Sequence, residues 1–196
     1  GKYDDEGFLL DDLPEGLNFG KAVTILYWED TRRTEFEVEK MDGNIISDAV
    51  YERNMRIEER LGVELVWQAE PGDNDDKAGF VKLVANSYNA GDKQFDIVAT
   101  YSRTAGMLAI QGYLADLNSI EDSYIDTSMP WWPASIVDTM GVGDALYYVS
   151  GDASPNTLHF MYTIYYNTQL LEDRGLTDPT EYVLNKTWTL DKLIEM

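Results

Sequence analysis

The chain has 196 residues and a formal net charge of −21, from 15 Lys and Arg against 36 Asp and Glu. That balance excludes a nucleic acid or an anionic lipid surface as partner, since both demand a surplus of cations. The absence of cysteine excludes disulfides, zinc–thiolate sites, iron–sulfur clusters and a thiol nucleophile.

Hydrophobic residues at 44% and charged residues at 26% fit a globular chain of one large or two small domains. No apolar run reaches the roughly 20 residues of a membrane span. A single histidine, His159, rules out any site needing two or three imidazoles.

Residues 1–21 crowd Asp4, Asp5, Glu6, Asp11, Asp12 and Glu15 among Gly7, Pro14, Gly16 and Gly20. Such composition predicts a poorly ordered acidic leader, with Phe8, Leu9, Leu10 and Leu13 free to dock. Residues 22–28 (AVTILYW) have the β-branched and aromatic make-up of a buried strand. The polar stretch 29–42 reads as a loop or a short hairpin arm. A helix capped by Ser47 or Asp48 follows, with Val50, Asn54, Ile57 and Leu61 on one face and Gly62 closing it. Glu52, Arg53, Arg56, Glu59 and Arg60 are expected to cover its outer surface.

A second strand is expected at 63–67, then a turn at 71–76. The next helix places Phe80, Leu83, Val84, Ser87 and Tyr88 inward and ends at Gly91. Residues 95–100 (FDIVAT) form a third strand, and 104–113 a third helix with Ala105, Leu108, Ala109 and Gly112 on one face. Strands separated by helices imply parallel pairing through right-handed crossovers. The fold class is therefore α/β, a parallel-containing sheet with helices on both faces.

Residues 117–133 are loop-like, with Trp131 and Trp132 before Pro133. A strand is expected at 145–150, followed by Gly151 and Asp152. Residues 158–166 form a β-rich run that places His159 on a strand as a structural histidine. A short helix covers 167–175, a turn holds Pro179, and a helix capped by Thr187 or Thr189 begins near Trp188.

Catalytic signatures are missing. The chain has no phosphate-binding G-x-x-x-x-G-K-[ST], no dinucleotide G-x-G-x-x-G and no G-x-S-x-G elbow. Asp73-Asn74-Asp75-Asp76 has the start of a calcium loop but lacks its Gly at position six and its Glu at position twelve. Aromatic residues, at 12%, are more informative. Several fall beyond the carboxyl ends of expected strands, where parallel sheets bind ligands. Trp28, Tyr101, Trp131 and Trp132 can stack on sugar rings, while Glu29, Arg103 and Asp152 bond hydroxyls.

The same residues follow a familiar order. Trp28-Glu29 ends the first strand, and Asn54, Glu58 and Leu61-Gly62-Val63 open the second. Ala90-Gly91-Asp92 precedes Phe95-Asp96-Ile97-Val98, and Gly112-Tyr113-Leu114 precedes Asp116-Leu117. Leu146-Tyr147-Tyr148, Ile164-Tyr165-Tyr166-Asn167, and Trp188-Thr189 with Asp191-Lys192-Leu193 complete the series. Over most of residues 22–196 this resembles the amino-terminal part of an extracellular solute-binding protein of family 1, the sugar-binding type of ABC importers.

The resemblance implies a periplasmic-binding-protein-like type II fold of two α/β lobes around a cleft. Residues 22–155 would be the first lobe. Residues 156–196 would be the crossover strand and an incomplete start of the second, with the chain truncated before most of that lobe. It implies a non-enzymatic carrier that captures a mono- or oligosaccharide and delivers it to membrane permease subunits, with no metal or cofactor. The protein would be extracellular or held at the cell surface, through a removed lipid-modified segment or after cleavage.

The family's ligand-contacting loops correspond here to Trp28, Glu29, Tyr101, Ser102 and Arg103. Asn167 falls on the crossing strand, as a hinge residue or a ligand contact. Trp131, Trp132 and Asp152 are assigned by their chemistry alone. The acidic leader and the Pro130–Pro133 segment depart from the family's sugar binders. Two rival readings stand beside this one. One is a carrier for a peptide, polyamine or other cation, favoured by the acidic field. The other is a secreted glycan-active hydrolase working through paired carboxylates such as Glu29 and Asp152.

Overall fold

Three parallel strands organise the amino-terminal part of the molecule, and the first is the apolar run anticipated from composition. In the computed structural model, which describes residues 3, 9–11, 13–29, 34–159 and 162–196, β1 spans Lys21–Trp28. β2 spans Val63–Glu70 and β3 the three residues Ile97–Ala99. The sheet order is β2-β1-β3, with β1 parallel to both neighbours. Val23 stands opposite Leu65, and Leu26 opposite Val98. The chain is therefore α/β with an open, three-stranded parallel sheet.

Helices make the crossovers. α1 (Ile45–Leu61) joins β1 to β2, and α2 (Lys77–Ala90) carries the chain back past β1 to β3. The first crossover runs from β1 to β2 and the second, in the opposite direction, from β2 past β1 to β3. Right-handed crossovers of opposite direction lie on opposite faces of a parallel sheet. α3 (Ser102–Ile110) follows β3 directly.

The strand alternation agrees with this. Leu26 and Trp28 pack with Phe80, Val81 and Val84 of α2 and Leu108 of α3. On the other parity, Tyr27 lies edge-on to Phe36 and Trp67, with ring centroids 6.0 and 5.8 Å away. Leu26, Phe80 and Leu108 are almost wholly enclosed, each burial stabilising the fold by roughly 2 kcal/mol.

The caps show why these helices begin and stop where they do. Asn44 caps α1, its side-chain oxygen accepting from the amides of Ile46 and Ser47. Ser47, expected as a cap, lies inside the helix and is buried. Gly62 and Gly91 close α1 and α2 in the left-handed conformation that glycine tolerates best. On α2, Phe80, Val84 and Ser87 are buried as anticipated, whereas Tyr88 is exposed and Val81 takes an inner place.

Part of the leader meets this framework. Asp11 makes a two-bond ion pair with Arg60, at 2.6 and 2.7 Å. The amides of Phe19 and Gly20 donate to the carbonyls of Leu61 and Gly62. Phe8, Asp12 and residues 30–33 lie outside the described residues.

The later chain departs from several expectations. Residues 145–150 do not form a strand. The amide of Leu146 goes to the Asp116 carboxylate and its carbonyl to Leu117, so a side chain and a turn take the bonds a ladder would use. An unexpected helix, α4, covers Ala134–Met140. His159 ends a one-turn helix, α5 (Asn156–His159), and is exposed rather than on a strand. Pro155 and the Ser154 hydroxyl, which accepts from the Asn156 amide, start that turn.

The chain divides into the units Gly1–His159 and Phe160–Met196. In the second unit, described residues 162–166 form no regular element. α6 spans Thr168–Arg174, α7 Pro179–Leu184 and α8 Leu190–Glu195. Pro179, expected in a turn, instead opens α7 as its first residue, behind an Asp178 cap that accepts from the Thr180 amide. Thr189 caps α8, as its sequence suggests.

Candidate functional site

The strand order creates one distinctive place. From β1 the chain departs toward β2 through α1, while β3, on β1's other side, leads into α3, which packs with α2 beside Leu26 and Trp28, so two separate connections leave the neighbouring carboxyl ends of β1 and β3. Open parallel sheets bind ligands at such a crevice. Five sequence-selected residues stand at these two strand ends: Trp28 and Glu29 after β1, and Tyr101, Ser102 and Arg103 after β3.

Their environments differ. Trp28 is 8% exposed and belongs to the core beside Phe80. Its ring lies 6.2 Å, centroid to centroid, from that of Tyr101. Tyr101 is 45% exposed, so the aromatic surface open to solvent here is the tyrosine's, backed by the tryptophan. Gly72, in the loop after β2, permits that arrangement: a Cβ there would stand 2.7 Å from the Trp28 Cβ and 2.8 Å from Phe80 Cδ2.

Ser102 and Arg103 begin α3, whose amino end has no side-chain cap and no acidic residue in its first turn. Arg103 is exposed and has no hydrogen-bond or ion-pair partner among the described residues. Thr104, also in that turn, is fully enclosed, and its hydroxyl meets no partner among the described residues. Glu29 is exposed, with its amide donating to the Glu70 carbonyl.

Carboxylates gather on the opposite parity of β1. The Tyr27 hydroxyl donates to Glu37 at 3.1 Å. Burial, then the charge of Glu37 and its acceptor bond, hold that hydroxyl protonated far above its ordinary range, with Glu29 and Glu39 adding to the effect.

Trp131, Trp132 and Asp152 form a second group. The Asp152 amide donates to the Trp131 carbonyl at 3.1 Å. Gly151 lies so close beneath the tryptophans that a Cβ would fall 2.2 Å from that carbonyl oxygen and 2.9 Å from the Trp132 ring. Both indoles are half-buried and Asp152 is exposed.

Arg53 reaches this loop from mid-α1. Its guanidinium donates to the Ala153 carbonyl at 2.7 Å, the Phe36 carbonyl at 2.9 Å and the Asn54 side-chain oxygen. Burial pulls its pKa below the ordinary arginine value. Sequence periodicity set Arg53 on the solvent side of α1, and the structure corrects that. Its partners are carbonyls 17 and 100 residues away, which no local pattern reveals.

Asn167 belongs to the second unit, where its side-chain oxygen caps α6 by accepting from the Leu170 amide at 3.0 Å. In that unit Tyr166 donates to Asp178 at 2.8 Å. An open groove of about 440 Å³ lies among Tyr162, Ile164, Tyr166, Val183 and Trp188.

Among the described residues, no three His, Asp or Glu side chains are grouped to hold a metal ion, and no helix is long and apolar enough to cross a membrane. In the 73–76 loop, the Asp73 carboxylate is engaged by the amides of Asp75 and Asp76. Comparison with protein-family models, curated proteins and solved structures gave no match.

Proposed function

We propose that the chain is the solute-capturing part of an ABC importer, of the periplasmic-binding-protein-like type II class, and that its solute is a carbohydrate. The observation that carries this reading is the β2-β1-β3 order, with the exposed Tyr101 ring and Arg103 at the point where the connections diverge. Tyr101 offers a flat apolar surface to a sugar ring. Ser102, Arg103 and Glu29 offer donors and acceptors to its hydroxyls. The carrier performs no chemistry: binding favours the liganded conformation by population shift. Its place would be outside the cell or at its surface, next to permease subunits.

The test is a calorimetric titration of the chain with maltotriose, xylotriose and glucosamine, with spermidine as control. Binding of a neutral saccharide, weakened about tenfold or more by Tyr101→Ala, is the expected result; a tenfold loss corresponds to 1.4 kcal/mol. Saturable binding of spermidine alone would replace the carbohydrate with a cation. The carboxylates of Glu29, Glu37 and Glu39 around Tyr27 are the feature favouring that second reading. Turnover of a saccharide, abolished by Glu29→Gln or Asp152→Asn, would establish a hydrolase instead.

A further inference from the structure

Three segments distant in sequence meet at Arg53. One is the stretch after β1, through the Phe36 carbonyl, which the Asn54 amide group also engages at 2.9 Å. The second is the loop 151–156, through the Ala153 carbonyl. The third is α1 itself, whose Asn54 is buried and takes two of the guanidinium's bonds. A further bond reinforces the junction: the Ser154 hydroxyl donates to Glu35 at 2.5 Å. The same loop carries Asp152, whose amide holds the Trp131 carbonyl.

We infer that Arg53 is a positioning residue for solute capture: it staples the 151–156 loop, and through it Asp152 and the Trp131–Trp132 pair, to the segment leaving β1. This rests on the carbohydrate reading above. A planar guanidinium donates in several fixed directions at once, which a lysine ammonium on a flexible stem does not reproduce. The bonds all run to carbonyl or amide oxygens, so geometry rather than charge pairing is what the residue supplies. Its aliphatic stem also fills space along α1, and methionine preserves much of that volume.

Arg53→Met and Arg53→Lys are compared with the parent chain by amide hydrogen exchange and by titration with maltotriose and xylotriose. Both variants should speed exchange at least tenfold at the Asp152 amide and its neighbours, while the amides of β1 and β2 keep their protection. Both should also weaken the saccharide about tenfold, with lysine giving no rescue. Unchanged exchange at Asp152 overturns the staple. Faster exchange with unchanged saccharide affinity overturns the positioning role and leaves a structural contact. Loss of protection in β1 and β2 as well identifies Arg53 as a general fold determinant and also overturns it. If the parent chain binds neither saccharide nor glucosamine, the carbohydrate reading fails and takes the ligand half of this inference with it. The Asp152 exchange rate still decides whether the staple exists.

Discussion

The Tyr27 hydroxyl is partly buried and donates to Glu37, with the charges of Glu29 and Glu39 adding to the effect, and this has a consequence for alkaline stability. Its pKa lies above the ordinary 10.0 in the folded chain. An unfolded chain would therefore release this proton near pH 10 while the folded one keeps it. The contribution to stability is complete below about pH 10 and is lost as pH rises beyond it. Denaturant midpoints measured from pH 8 to 11 should fall more steeply for the parent than for Tyr27→Phe. Equal slopes would show that Tyr27 titrates normally. That Tyr27 lies near the end of a strand was legible in the sequence. Its partner Glu37 was not, because the bond depends on how the chain turns after β1. The same limit applies to Arg53. Helical spacing predicts which side of α1 a residue occupies but says nothing about what later packs on that side. Trp28 shows the reverse. Its place at a strand end suggested a ligand platform, and burial beside Phe80 hands the open ring surface to Tyr101.

The short strand β3 is held by more than its ladder. Just ahead of it, the Asp96 carboxylate accepts from the Thr24 amide at 2.9 Å, and the Asp96 amide donates to the Thr24 carbonyl at 2.9 Å. One residue thus extends the pairing with β1 by using its side chain as an acceptor. Asp96→Ala removes the carboxylate bond and should destabilise the fold by about 1–2 kcal/mol, read as a lower denaturant midpoint with unchanged slope. A shift under about 0.3 kcal/mol would show that solvent replaces it fully. The elements legible from sequence were those with strong local signals. β1 has its apolar run, α1 and α2 their closing glycines, and α8 its threonine cap. α7 was missed because Pro179 was read as part of a turn, when it stood at the start of a helical turn, and α5 because the run from 158 has β-rich composition. The run 145–150 has strand composition but pairs with no strand among the described residues, and composition alone cannot supply a partner.

Charge and core size govern the molecule as a whole. With 36 acidic residues against 15 basic ones, self-repulsion opposes the compact state. Raising NaCl from roughly 0.02 to 0.5 M shortens the screening length severalfold and should raise the melting temperature at pH 7. A flat or falling response would mean that specific ion pairs such as Asp11–Arg60 outweigh the repulsion. The enclosed apolar side chains concentrate between the sheet, α2 and α3, whereas α6, α7 and α8 contain no buried residue. The parallel α/β class follows from alternating strands and helices and was readable in advance. The strand order, which creates the candidate site, was not. Periodicity gives elements but not which neighbour each strand chooses.

On β2, an outer strand of the sheet, the Leu65 amide donates to the Glu58 carboxylate of α1 at 2.7 Å. An outer strand with open donors invites a strand from another molecule, and intermolecular ladders begin in this way. Glu58 occupies one such donor from within the chain and adds a charge beside it. The contact therefore bears on how crowded a solution this protein tolerates before its copies join edge to edge, a colloidal property to which this one side chain contributes.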